Sequence, residues 1–192
     1  SSSDWVTLPD GPHAIELDWQ AASGDGANNG RLSLWVDEEE KAAFTNIDND
    51  TRRMEKVQWG AVSGIDSGTR GTYYFDAFES RRETYIGEEE GALPPPEPGD
   101  AIFADGYESS NFSAWSLNTN DGGDLSVTAA AALKETRGMA ALLDDNNSIY
   151  VTDYQPSEET HYRERFYFDP NAITMTNGNA HFLFYAYNRA GT

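Results

Sequence analysis

Alternation with a period of two runs through this chain and commits it to strands. In HAIELDWQA, Ile15, Leu17 and Trp19 point one way, and Glu16 and Asp18 point the other. Successive strand side chains face opposite sides, so such a run buries one face of a sheet. RLSLWVD repeats the pattern, with Leu32, Leu34 and Val36 set against Ser33 and Trp35. KVQWGAV offers Val57, Trp59 and Ala61 on one face. GTYYFDAFES offers Tyr73, Phe75 and Ala77 against Tyr74, Asp76 and Phe78. DLSVT, SIYVTD, HYRERFYFD and AHFLFYAYN read the same way, and Asn29-Gly30 and Asn177-Gly178 are turn signals beside such runs. The best helix candidate is TAAAALKETRGMAALL, but Gly138 interrupts it, and a loop followed by a strand is the preferred reading. The expected fold is all-β and antiparallel.

The totals narrow the function. A length of 192 residues suits one large β-domain or two small ones, and 5 Trp, 10 Tyr and 9 Phe can fill a core. Thirteen basic residues face 33 acidic ones, a net charge of −20. That balance opposes binding to nucleic acid or an anionic membrane, and it favours solubility and divalent cations. The absence of Cys excludes disulfides, thiolate zinc sites and a Cys nucleophile. No signal-peptide pattern is present and no apolar run approaches a membrane span. If the chain belongs to a larger precursor, the targeting signal lies elsewhere.

The order of the segments is unusual. Residues 1–87 end in GTYYFDAFESRRETYIG, and a Pro- and Glu-rich tether, 88–100, follows with Pro94, Pro95, Pro96 and Pro98. Such a run is stiff and extended, and its thirteen residues reach about 40 Å, the height of a sandwich. Residues 101–192 then open with AIFADGYESSNFSAW. A weak echo links Asp76-Ala-Phe-Glu-Ser to Asp105-Gly-Tyr-Glu-Ser. A single echo does not make a repeat.

These residues resemble a family. PHAIELDWQAASGDGANNGRLSLWVD and the run from DNDTRRMEKVQWG to ESRRETYIG look like the C-terminal half of a LamG-like domain, of the concanavalin A-like jelly-roll class found in large secreted bacterial surface proteins. FADGYESSNFSAW, DGGDLSV, DDNNSIYVTD and RERFYFDPNAI look like the N-terminal half of such a domain. The resemblance implies an antiparallel jelly-roll sandwich, split or permuted, with the C-terminal half (1–87) ahead of the N-terminal half (101–192) of the next domain. Central strands between HFLFYAYNRAGT and SSSDWVTLPDGPH are missing or very short. It also implies a structural Ca²⁺ held between Glu108 and Asp76, with Asp105 and Glu79 as neighbours.

Several loops offer oxygen ligands in their own right. Ca²⁺ takes six to eight oxygens, and IDND (Asp48, Asp50), GID (Asp66), DGGD (Asp121, Asp124) and DDNN (Asp144, Asp145) carry them. In any one loop, turn geometry is the commoner reason for Asp and Asn. Trp35, Trp59, Tyr185 and Tyr187 are candidate sugar platforms if they face outward, although core packing is the commoner use of such residues. Arg52, Arg53, Arg81 and Arg82 are the basic clusters that would meet acidic patches, such as Glu38–Glu40 or Glu88–Glu90, on a neighbouring subunit.

Catalysis finds little support. Concanavalin-like glucanases carry a Glu-x-Asp-x-x-Glu strand motif whose outer glutamates do the chemistry. Here Glu16-Leu17-Asp18 begins the pattern, but Gln20 and Ala21 stand where it should end, and the acids read as solvent-facing. His13, His161 and His181 form no metal pair, and no Gly-x-Ser-x-Gly elbow is present. The expectation is a non-catalytic extracellular structural protein that joins head to tail with copies of itself or adjacent repeats by sharing sandwich halves or strands. The alternative is a carbohydrate-binding or adhesion module of a secreted protein.

Overall fold

The structure, a computed structural model, describes residues 4–88 and 96–188. The middle of the proline tether, with Glu89, Glu90, Pro94 and Pro95, lies outside the described residues. Thirteen strands form two antiparallel sheets among the described residues. The first segment supplies β1 (His13–Gln20), β2 (Gly30–Val36), β3 (Glu39–Ile47), β4 (Lys56–Ser63) and β5 (Thr69–Arg81). The second supplies β6 (Ala101–Asp105), β7 (Leu117–Thr119), β8 (Leu125–Thr128), β9 (Gly138–Leu143), β10 (Ile149–Asp153), β11 (His161–Asp169), β12 (Thr174–Met175) and β13 (Phe182–Tyr187). The alanine-rich stretch is a 3₁₀ turn at Ala129–Ala131, a loop and β9, not a long helix.

The larger sheet runs β3-β2-β1-β11-β5-β9-β8, with β6 and β12 also pairing β5; the smaller runs β13-β4-β10-β7. The two segments interleave within one chain. β11 lies between β1 and β5, in register from His13 opposite Phe168 to Gln20 opposite His161. β4 lies between β10 and β13. Strands from both segments therefore complete one sandwich, and what remains open to a neighbour is the sheet edges.

Trp59 is the centre of the core. It is fully buried, with ring centroids 5.0 Å from Phe75, 5.1 Å from Phe78, 5.2 Å from Phe166 and 5.8 Å from Trp115. Each such pair adds roughly 0.5–1.5 kcal/mol beyond the area it buries. Trp59 as a sugar platform is thereby corrected, because β4 turns it inward with Val57 and Ala61.

A bulge alters the second half of β5. Ala77 has φ 47°, and the β11 register skips between Arg165 and Tyr167. An extra residue reverses the side-chain alternation beyond it. Tyr73 and Phe75 point into the core, but Phe78 then replaces Ala77 there, and Ala77 packs with Ala14 and Tyr167.

Glu16 and Asp18 are not solvent-facing. They are 3% and 2% exposed. Arg163 donates to Glu16 at 2.8 Å and to Asp18 at 2.9 Å. The backbone N–H groups of Ile86 and Gly87 also donate to Glu16, so the segment after β5 lies over this charged pair. The Arg163 guanidinium sits 5.3 Å from the Trp35 ring centroid and 5.5 Å from that of Tyr85.

Candidate functional site

Two places gather the residues that the sequence singles out. The first is a cavity of about 320 Å³ lined by Asp76, Glu79, Asp105, Glu108, Lys134 and Arg165, among others. The bulge on β5 and the turn after β6 build it. Phe78 pairs with Asp105 in the β5–β6 ladder, so the two echoed pentapeptides lie side by side. Each buries its aromatic residue, Phe78 or Tyr107, and each sends an Asp and a Glu to the same cavity. The four carboxylates expected to surround calcium do converge.

Their oxygens are already engaged. Asp76 Oδ1 accepts from Ala77 N at 2.7 Å, and Oδ2 accepts from Leu133 N at 2.9 Å and Lys134 N at 2.7 Å. Glu108 Oε1 accepts from Thr136 N at 3.0 Å and Arg137 N at 2.8 Å, and Oε2 accepts from the Thr136 hydroxyl. Asp105 accepts from Tyr107 N and from the Trp115 indole at 2.8 Å. Glu79 pairs with Arg81 at 2.6 Å and Arg165 at 3.3 Å. Carboxylates aimed at N–H donors tie loops together, and this arrangement does not fit a cation that needs six to eight free oxygens. Among the described residues no group of three or more His, Cys, Asp and Glu is arranged to hold a metal ion.

Electrostatics follow from burial. Desolvation pushes the Asp76 carboxyl up to about 6, against its three N–H donors, and the nearby Glu108 charge adds to the rise. Burial also raises Asp105. Glu108 is lowered, chiefly by its bond from the Thr136 side chain.

The other proposed ligands are elsewhere. Asp48 and Asp50 flank Asn49, the buried member of their loop, which accepts from Ala22 N at 2.7 Å and donates to the Gln20 carbonyl. Asp144 and Asp145 lie beside Asp121 and Asp124, so DGGD and DDNN meet. Asp124 is raised by desolvation and by the other three carboxylates. Asn147 donates to Asp121 at 2.9 Å and to Asp145 at 2.7 Å.

The arginines work largely inside the chain. Arg81 is buried and bonds Glu79, Thr84 and the Tyr85 carbonyl. Arg82 grips Glu159 at 2.8 and 3.0 Å and reaches the Gly99 and Ala101 carbonyls. Arg53 bonds the Asp50 and Arg52 carbonyls. Arg81 and Arg82 thus find their nearest acids within the same sandwich. Arg52 also has an interaction within the chain.

The second place is the outward face of the smaller sheet. Trp59 and Val57 pair with Phe184 and Ala186 and face the core, which turns Tyr185 and Tyr187 outward with Gln58 and Lys56. A bulge between Phe182 and Phe184 puts Phe182, 55% exposed, beside Tyr185. The ring centroids are 5.0 Å apart for Phe182 and Tyr185 and 5.7 Å for Tyr185 and Tyr187. Lys56 Nζ lies 3.9 Å over the Tyr187 ring, and the Tyr185 and Ser63 hydroxyls are 2.8 Å apart. Tyr150 of β10 pairs with Gly60 and faces the same way. Burial raises the Tyr187 phenol pKa, and Tyr185 and Tyr150 raise it further as neighbours. Tyr185 and Tyr187 thus come together as expected of a platform, whereas Trp35 lies on the larger sheet under Tyr85. Phe182, Tyr150 and Lys56 were missed by the sequence reading. Plain alternation would turn Phe182 inward, and only the bulge brings it round.

No family model matches the chain, and no curated protein matches it.

Proposed function

We propose that the chain is a non-catalytic carbohydrate-binding module that works outside the cell, with Phe182, Tyr185 and Tyr187 as its platform. The observation that carries this reading is a row of three touching outward aromatic rings on one strand, flanked by Tyr150, Lys56 and Gln58. An exposed phenylalanine in contact with half-buried, outward-facing tyrosines suits an interaction surface rather than a core. Their flat faces suit the C–H faces of sugar rings, and the neighbouring hydroxyl, amide and ammonium groups suit sugar hydroxyls. A chain of net charge −20 favours a neutral polymer over an acidic one. Glu16 and Asp18, which begin a glucanase-like pattern, are neutralised by Arg163 and covered, which supports binding over hydrolysis.

Affinity electrophoresis through gels containing neutral soluble polysaccharides, with pull-down on insoluble ones, tests the reading. The chain should be retarded or retained by at least one neutral polymer, and Tyr185→Ala should weaken this at least about tenfold. No retention across the panel, or retention unchanged in both Tyr185→Ala and Phe182→Ala, would sink it.

Assembly with copies of itself is the other role that the sequence suggests; within one chain the two segments pair with each other.

A further inference from the structure

The larger sheet extends past β13, and its inner face is left partly open there. Ile15, Leu34, Val36 and Phe168 floor a groove of about 450 Å³ bounded by Leu183 of β13. The outer edge of β13 bounds the smaller sheet, pairing only with β4 among the described residues. β6 and β12 pair only with β5 and are five and two residues long, and the strands that end the sheet paths elsewhere are protected. β3 carries Glu39, Glu40 and Lys41, and β7 and β8 are only three and four residues long. β13 is FLFYAY, without a charge, Pro or Gly. Natural edges of that kind are covered.

The chain's own arm, Asp4–Leu8, forms one wall of this groove. Val6 and Leu8 pack against the core, while Thr7 and Trp5 face out, Trp5 at 92% exposed. Among the described residues, no backbone group of the arm is hydrogen-bonded to a strand. Side chains alone hold it. The hinge, Pro9-Asp10-Gly11-Pro12, leads into β1 and is pinned twice, the Gly11 N–H donating to Asp169 and Asp10 accepting from the Ala172 N–H. Gly11 takes φ 128°, a conformation that glycine adopts readily.

We propose that this arm is exchanged between two copies of the chain, each arm seating along β13 of the other. The seat favours this occupant, since Val6 and Leu8 already pack against the core at its wall. Exchange remakes those contacts and costs no ladder, because none is made. An arm arriving from a second copy is released from the turn at Pro9–Pro12, so its backbone can hydrogen-bond to the outer edge of β13. Two prolines keep such a hinge extended once it opens. Exchange of one element between identical chains is a low-cost route to a dimer, and if the exchange is not reciprocal it propagates into a chain of subunits.

Light scattering on the eluting full chain, from about 10 to about 300 µM in physiological salt, should show a dimer that grows with concentration. Val6→Asp with Leu8→Asp should weaken it at least about tenfold. A monomer throughout overturns the proposal, as does a dimer unchanged in a double variant that circular dichroism shows to be folded. Should that variant unfold, mixed single-cysteine chains decide, because the protein has no Cys of its own. Val6→Cys chains incubated with Leu183→Cys chains should form a disulfide-linked heterodimer on oxidation, and absence of that species overturns the exchange.

Discussion

Arg163 stands across the β1–β11 ladder from Asp18, 145 residues away in the chain, and its guanidinium joins Asp18 to Glu16. All three groups are buried, His161 lies 2.5 Å from Asp18, and Arg31 approaches it to 3.3 Å. Breaking a buried pair strands the remaining charge, at a cost of about 3–5 kcal/mol. Arg163→Met should lose that much in urea unfolding. The triple variant Arg163→Met, Glu16→Gln, Asp18→Asn should lose less than Arg163→Met alone, because no buried carboxylate is left without its arginine. Equal losses would mean that the cluster is packed rather than electrostatic.

Glu164, one strand position on, turns into the core. It is fully buried, and neither carboxylate oxygen has a partner among the described residues. Desolvation raises its pKa well above the usual carboxylate range. The folded state therefore holds a proton that the unfolded chain releases near its ordinary value of 4.5. Its stabilising share is full below that value and is lost as pH rises towards the folded pKa, at about 1.4 kcal/mol per pH unit. Glu164→Met should flatten the fall in stability as pH rises above about 4.5. It should also gain at least about 1 kcal/mol at pH 7 by removing an unsatisfied buried group. An unchanged slope would assign the pH dependence to other groups.

The strands were readable because apolar side chains gather on one face of each main strand, and the period of two records that facing directly even where β1 and β11 bury the other face as well. Ile15, Leu17 and Trp19 in β1, and Leu32, Leu34 and Val36 in β2, face as the alternation says. The bulges at Ala77 and between Phe182 and Phe184 were not readable, since an extra residue leaves no mark in composition and changes every facing beyond it. Burial of Glu16 and Asp18 was hidden for another reason. A charged residue looks solvent-facing until its partner is known, and Arg163 comes from the far end of the chain. The echo of DAFES and DGYES did carry the acidic cavity, but not the donors that fill its oxygens, many of which are backbone N–H groups with no sequence signature.

Asp76 gives a second, narrower pH signature. Its folded pKa of about 6 exceeds its ordinary 3.8. Its stabilising share is therefore full below the lower value and lost as pH rises to the higher one. Asp76→Asn should flatten the stability profile between about pH 4 and 6. It should also loosen the Leu133–Lys134 loop, because an amide oxygen replaces one of two carboxylate acceptors. Hydrogen exchange at those two amides reads that change separately from the titration.

Gly138 opens β9 and fixes how closely that loop can approach. A Cβ there would lie 2.8 Å from the Ala131 carbonyl carbon and 2.9 Å from the Phe75 carbonyl oxygen, both backbone atoms that cannot swing aside. Either the 3₁₀ turn at Ala129–Ala131 lifts away or the β5–β9 ladder parts at Phe75 and Met139. Overpacking of this sort costs about 1–3 kcal/mol. The turn is the cheaper to move, since β9 is held by β5 and β8 on both sides. Gly138→Ala should therefore lower stability in that range while speeding limited proteolysis within residues 129–137. The ladder amides of β9 should keep their protection from hydrogen exchange. Uniform loss of protection across β9 would show instead that the sheet yields first.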